Sequence, residues 1–251
     1  MQVNAPPCAE DLTAESKRLP RVHSAGSRRF ATRMTGAVHL PPWGFVKGRV
    51  SAIILVMSAT LDRYVAQVEE RLANADETTA NPVLVMLTGL PGTGKSHLAR
   101  RLAEVLPFVI VESDQVRKTL FPECDYTGEE SQWVHRTCHA VIEKLLRKGV
   151  RVIYDATNLH ERHREQVYRL ADETQAKLLV VKVVAPEAVA SARLQGRRED
   201  GTDNEDVSDA DWRVYRRMAR DVEPIARSFV VVDTSRDMGR AISKLLRLLR
   251  P

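Results

Sequence analysis

The run Gly89-Leu90-Pro91-Gly92-Thr93-Gly94-Lys95-Ser96 constrains this chain more than any other feature. Its spacing is G-x-x-x-x-G-K-[ST]. Glycines let the backbone curl until successive N–H groups converge on an anion. The lysine and hydroxyl that close the curl add a cation for terminal phosphates and a hard oxygen for Mg2+. The flanks agree. Residues 82–88 are an apolar run of strand length, and residues 97–106 repeat at helical spacing. Strand, loop and helix in that order set an anion at the positive end of a helix dipole. The expected ATP contacts are Gly89, Leu90, Pro91, Gly92, Thr93, Gly94, Lys95, Ser96 and His97, with Lys95 on the β- and γ-phosphates.

Beyond the loop, apolar runs at 108–113, 150–155, 178–184 and 229–232 read as strands. Helical spacing fills 95–106, 129–148, 160–174, 186–195, 209–221 and 237–249. Gly149 follows a basic last turn and stops its helix. Continuous apolar strands alternating with helices indicate a parallel sheet covered on both faces. The expected fold class is α/β: a three-layer P-loop NTPase fold with a five-stranded, mostly parallel sheet, helices on both faces and a short Arg-bearing lid.

That domain is expected over 82–251, preceded by an amphipathic helix and polar linker within 58–81, the helix running from 60 to 74. Residues 1–57 are expected to be a basic extension, disordered over 1–50, where Pro, Ser, Arg and Gly show no sustained period. A true start at Met34 or Met57 is the alternative and would make the preceding residues a gene-start artefact. The net charge of +5 lies in this stretch, with eight Lys/Arg against three acids; the remainder carries equal numbers of each sign. A globally cationic nucleic-acid surface is therefore not supported. Three cysteines at unrelated spacings suggest no disulfide framework or zinc site and fit a reducing, cytoplasmic setting. The apolar run 53–57 is too short to span a bilayer, so no membrane is expected. A monomer or small homo-oligomer is expected.

In a parallel sheet, ligands gather beyond the carboxyl ends of the strands. After the second strand stands Asp114, placed to accept a proton from an attacking hydroxyl, with Arg117 three residues on for an anionic part of the substrate. An N-capping Asp and a solvated Arg are the bland alternative. After the third strand, Asp155 suits Mg2+ held together with Ser96. Ala156 follows, where ATP-hydrolysing motors often place a Glu that activates water; transfer to a substrate is favoured. Asn158 contacts substrate or caps the next helix. Arg193 and Arg197, four apart and ahead of the polar loop 199–207, read as lid cations neutralising charge on the transferring phosphoryl group. His135 and His139 lack a completing ligand and read as packing or surface residues. His160, Arg162, His163 and Arg164 read as a solvated helical face. Residues 233–235 lie where adenine is often seated.

These motifs, with Ser113-Asp114-x-x-Arg117, Tyr154-Asp155-Ala156-Thr157-Asn158 and Arg193-x-x-x-Arg197 with Ser208-Asp209-Ala210 and Tyr215 beyond, span about residues 82–235. The chain resembles the P-loop kinase group that contains the 5′-kinase domain of phage-type polynucleotide kinase and the zeta-toxin and gluconate-kinase-like small kinases, an AAA-type ATP-binding family. The resemblance implies Asp114 as general base, Arg117 on a substrate phosphate, and Arg193 and Arg197 on ATP phosphates. The resulting expectation is an ATP- and Mg2+-dependent kinase acting on a hydroxyl, with a polynucleotide 5′ end and a small molecule as competing acceptors. An ATP-hydrolysing switch or motor is the rival of another class.

Overall fold

The computed structural model describes residues 44–73, 75–199 and 212–250, without the side chains of 44–54 and 197–199. Residues 1–43 of the expected extension lie outside this set. So do residues 200–211 of the expected lid, with Ser208, Asp209 and Ala210, and the Arg197 side chain.

Five strands form one sheet in the order β2-β3-β1-β4-β5: β1 Val83–Thr88, β2 Phe108–Glu112, β3 Arg151–Asp155, β4 Lys177–Val184 and β5 Phe229–Asp233. Every pairing within it is parallel, so the sheet is more uniform than the mostly parallel one expected. The central strand explains why the motif strand has no polar alternation. Leu84 and Met86 of β1 enter one core, whereas Val83, Val85 and Leu87 enter the other. All six β1 residues are buried, as a central strand covered on both faces requires.

The first core is closed by α4 (Gly128–Arg147) and α5 (Glu161–Glu173), and Val68 of α1 (Gly44–Glu69) joins it. The second is closed by α2 (Lys95–Ala103) and α8 (Met238–Leu249), through Leu98, Leu102, Ile242 and Leu245. Helices therefore lie on both faces. A third, small cluster joins Ala190 and Leu194 of α6 (Glu187–Glu199) to Tyr215 of α7 (Trp212–Arg220), with Leu90 and Trp212 packed against it.

Three boundaries differ from the sequence expectation. Helix α1 starts at Gly44 rather than at residue 60, because residues 50–59 are an unbroken run of apolar or small residues that leaves no helical period to detect. The segment after β2, outside the expected helices, is a helix of its own, α3 (Ser113–Leu120). Helix α6 runs on to Glu199. No helix among the described residues is long and apolar enough to cross a membrane.

Gly149 ends α4 at φ +83, in the left-handed region. A Cβ there would stand 2.7 Å from the carbonyl oxygen of Thr79, whose N–H bonds the Gly149 carbonyl at 2.7 Å. Gly149→Ala should therefore destabilise the domain by about 1–3 kcal/mol, read as a lowered urea midpoint at unchanged slope.

Candidate active site

The loop leaves β1 between two neighbouring strands. The Gly89 N–H donates to the Thr157 carbonyl beyond β3 at 3.0 Å, and a Cβ on Gly89 would lie 2.3 Å from the Val183 carbonyl oxygen of β4. The Thr88 hydroxyl also donates to Thr157 O and Asn158 O, at 3.1 and 3.0 Å. Inside the curl, the Leu90 carbonyl accepts from the Thr93 hydroxyl at 2.7 Å and from Lys95 Nζ at 3.1 Å. Gly94 caps α2 in the left-handed region at φ 86, with no side-chain cap bond. The first-turn amides of α2 therefore carry the helix dipole to an anion site.

A cavity of about 460 Å3 opens over this loop. Pro91, Gly92, Gly94, Lys95 and Ser96 line it; Gly89, Leu90 and Thr93 build the loop from outside that lining, and His97 is exposed on α2 beyond it. Asp155 and Asp114 reach the same cavity, so the structure brings the phosphate loop, the metal-side acid and the base candidate together. The β2–β3 register pairs Glu112 with Asp155, which sets the ends of those strands level.

Arg117 follows Asp114 on α3 and lines the cavity. Its Nη2 donates to Ser131 Oγ at 3.1 Å, and its guanidinium lies 4.9 Å over the ring of Tyr126. Glu130 Oε2 stands 3.6 Å from Nη1, an ion pair too long for a hydrogen bond. Nε and Nη1 are buried and have no hydrogen-bond partner. Glu130 also closes a capping box with Thr127, which orders the loop that carries Tyr126 at φ 55. The cation is thus held in place with donors to spare.

Three expected roles change. Asn158 is 4 % exposed and its Nδ2 donates to Leu87 O at 2.8 Å; it ties β1 to the β3–α5 loop and is not at the cavity, nor does it cap α5, whose N-cap is His160. Arg193 braces the loop instead of covering it: Nη1 donates to Thr234 Oγ1 at 2.8 Å and Nη2 to Thr234 O at 3.0 Å. The Thr234 hydroxyl in turn donates to Thr93 O at 2.6 Å. Arg164, expected in solvent, is 1 % exposed. Sequence reasoning missed Arg217, which lines the cavity from α7 with Val214 and Met218. Its only signal was helical spacing from Val214, three residues earlier, in a helix with several arginines.

His135 lines the cavity too, with its ring 4.7 Å from that of His163 and its Nδ1 3.3 Å from the Tyr154 hydroxyl. Burial first, then the neighbouring imidazoles, hold His135 down to about 3; burial and His163 hold His139 down to about 4. Both are neutral at neutral pH. Among the described residues no cluster of three or more His, Cys, Asp or Glu is arranged to hold a metal ion. Ser96 and Asp155 offer a hydroxyl and a carboxylate on one cavity wall, a hard-oxygen pair that suits Mg2+ shared with phosphate oxygens.

A family model described as an AAA domain, AAA_33, matches residues 84–224. The chain belongs to that family. Within it, the fold is that of the small P-loop kinases. The AAA domain chain is 34% identical over 114 residues to an adenylyl-sulfate kinase of Myxococcus xanthus, covering 44% of this chain and 62% of the relative. It thus spans about six tenths of that relative's length. It is also 29% identical over 174 residues to the ATP-dependent protease ATPase subunit HslU of Halalkalibacterium halodurans, covering 65% of this chain and 32% of the relative. Among solved structures, the APS kinase CysC of Mycobacterium tuberculosis, in complex with AMPPNP and APS, shares the fold at a TM-score of 0.50 and 17% identity, over 68% of this chain and 99% of that one.

The buried imidazoles make stability depend on pH. In the unfolded chain they take up protons near 6.5, whereas in the folded domain they resist until about 3 to 4. Between those limits the unfolded state binds more protons, so this contribution is full above pH 6.5 and drains as pH falls. The urea midpoint should decline from pH 6.5 to pH 4, and the decline should be shallower in His135→Gln/His139→Gln.

Proposed function

We propose that this AAA domain protein is an ATP- and Mg2+-dependent kinase that transfers the γ-phosphoryl group to a hydroxyl of a small anionic molecule. The observation that carries the proposal is Arg117: a guanidinium whose buried Nε and Nη1 make no hydrogen bond and whose carboxylate neighbour Glu130 stands 3.6 Å off, on the cavity wall shared by Asp114 and the phosphate loop. A buried cation with unused donors is costly unless an anion completes it. The adenylyl-sulfate kinase relative supports a small acceptor over a polynucleotide end.

The loop amides and Lys95 hold the triphosphate, and Lys95 exchanges its bond to Leu90 O for phosphate oxygens. Ser96 and Asp155 would hold Mg2+, which when bound neutralises charge on the phosphates. Arg117 fixes the acceptor by its anionic group so that its hydroxyl lies beside Asp114. The proton passes to the Asp114 carboxylate as the acceptor oxygen bonds phosphorus, and the bond to ADP breaks with its electron pair left on ADP. Arg217 faces the charge that develops on the moving group. This division of work is mainly positioning and charge neutralisation, as phosphoryl transfer demands. The supply of ATP puts such an activity in the cytoplasm.

The HslU relative keeps an ATPase reading in play. Ala156, which follows Asp155 on the cavity wall, brings no carboxylate to activate water. The two readings part in one assay. ATP consumption should require an acceptor from a panel of anionic sugars, nucleotides and a 5′-hydroxyl oligonucleotide; acceptor-independent turnover would instead establish an ATPase, and labelling of the oligonucleotide alone a polynucleotide kinase. Lys95→Ala should remove both ATP binding and transfer. Asp114→Asn should bind ATP normally and transfer about 10^2- to 10^4-fold more slowly.

A further inference from the structure

Arg164 sits in the first turns of α5, outside the cavity lining, and is 1 % exposed. All five of its N–H donors point at partners. Nε donates to Glu161 Oε2 at 2.6 Å. Nη1 donates to Asn158 O at 2.8 Å and Leu159 O at 2.7 Å. Nη2 donates to Glu223 O at 2.9 Å and to Pro224 O. Two of these carbonyls belong to the β3–α5 loop and two to the segment that leads from α7 to β5. The guanidinium therefore joins two stretches about sixty residues apart in sequence.

Each stretch is tied to the chemistry at its other end. The β3–α5 loop holds the base of the phosphate loop through the bonds to Thr157 O and Asn158 O. The second stretch is the stem of α7, which brings Arg217 to the cavity. Helix α7 is nine residues long and rests on the third cluster through Tyr215, two residues from Arg217. An exposed arginine cannot fix its own helix, so the helix direction is set by that apolar pivot and by the stem. The stem has further bonds to α5: Glu161 N–H donates to Glu223 Oε2 and Ala226 N–H to Glu161 Oε1.

We infer that Arg164 is a positioning residue for phosphoryl transfer: it locks the α7 stem to the loop behind Asp155 and so fixes Arg217 against the phosphate loop. Burying a guanidinium is a poor way to gain stability, since an apolar side chain of similar volume would serve as well or better. What a planar cation with five donors supplies is a fixed angle between two backbone segments. The inference rests on the proposed role of Arg217 and has its own test.

The test uses the full chain with the acceptor found by the panel above. Arg217→Ala is measured first; an unchanged kcat would remove the role of Arg217 and this inference with it. Given a loss there, Arg164→Lys should lower kcat about 10- to 100-fold, since a displacement near 1 Å costs that much, while the KM for ATP stays at its wild-type value. In the Arg217→Ala background, Arg164→Lys should cause no further loss in kcat. Pro224→Gly, which loosens the stem and leaves the buried charge paired, should show the same kcat loss and the same non-additivity, and it decides the matter if Arg164→Lys does not fold. Full additivity with Arg217→Ala, or a wild-type kcat in a folded Arg164→Lys or Pro224→Gly variant, overturns the inference and leaves Arg217 its role.

Discussion

The site depends on a close approach between two pieces of backbone. Where the phosphate loop leaves β1, a Cβ on Gly89 would meet the Val183 carbonyl at 2.3 Å, so that the loop can turn out of the sheet only if that position carries no side chain. Backbone of β4 and of the loop just beyond β3 is involved, and neither strand can move without breaking the ladder that pairs β1 with β3 and β4. The loop's shape is therefore inherited from the rigidity of the sheet centre. The buried β1 residues do more than fill two cores: they hold in register the three strand ends from which the phosphate loop, Asp155 and Val183 depart.

Around that fixed loop, polar side chains are spent on fixing backbone. Thr88, Arg164, Arg193 and Thr234 all bond carbonyl oxygens of segments beyond the strand ends, and Asn158, itself beyond β3, bonds the Leu87 carbonyl at the end of β1. Loops in this position cannot be held by apolar packing alone, because their carbonyls would lose water without gaining a partner. The consequence is a division of labour that residue type does not reveal. Arg193 and Arg164 serve backbone, whereas Arg117 and Arg217 face the cavity. All four are arginines near the same sheet edge.

That division marks the limit of what the sequence discloses. The five strands were legible because continuous apolar runs bounded by turn residues have few other uses, and the phosphate loop because its spacing answers to one geometry. That Asp114 and Asp155 reach the cavity was legible from the strand ends they follow, beside the phosphate loop in the same sheet. The roles of Arg193, Arg164 and Asn158 were not legible, since each depends on partners 41 to 71 residues away, and no local pattern encodes them. Arg217 was hidden for a related reason. Its helix shows Tyr215 as the one buried residue, and which of the flanking arginines turns toward the cavity depends on how α7 is set on Leu90 and Leu194. The start of α1 was missed because the run 50–59 is too uniformly apolar or small to show a helical period.

The neutral histidines extend this reasoning to the choice between transfer and hydrolysis. A wall built from Val134, His135 and Met218 places apolar groups and an uncharged imidazole in the cavity that Asp114 lines, while the cations lining it among the described residues are Lys95, Arg117 and Arg217. In the proposed kinase, a protonated His135 would compete with Arg117 for the anionic group of the acceptor and offer that group two registers, whereas a neutral ring leaves Arg117 as the anchor. An anchor at a fixed distance from the proposed base would then favour a hydroxyl carried by the anchored molecule over a water that nothing anchors.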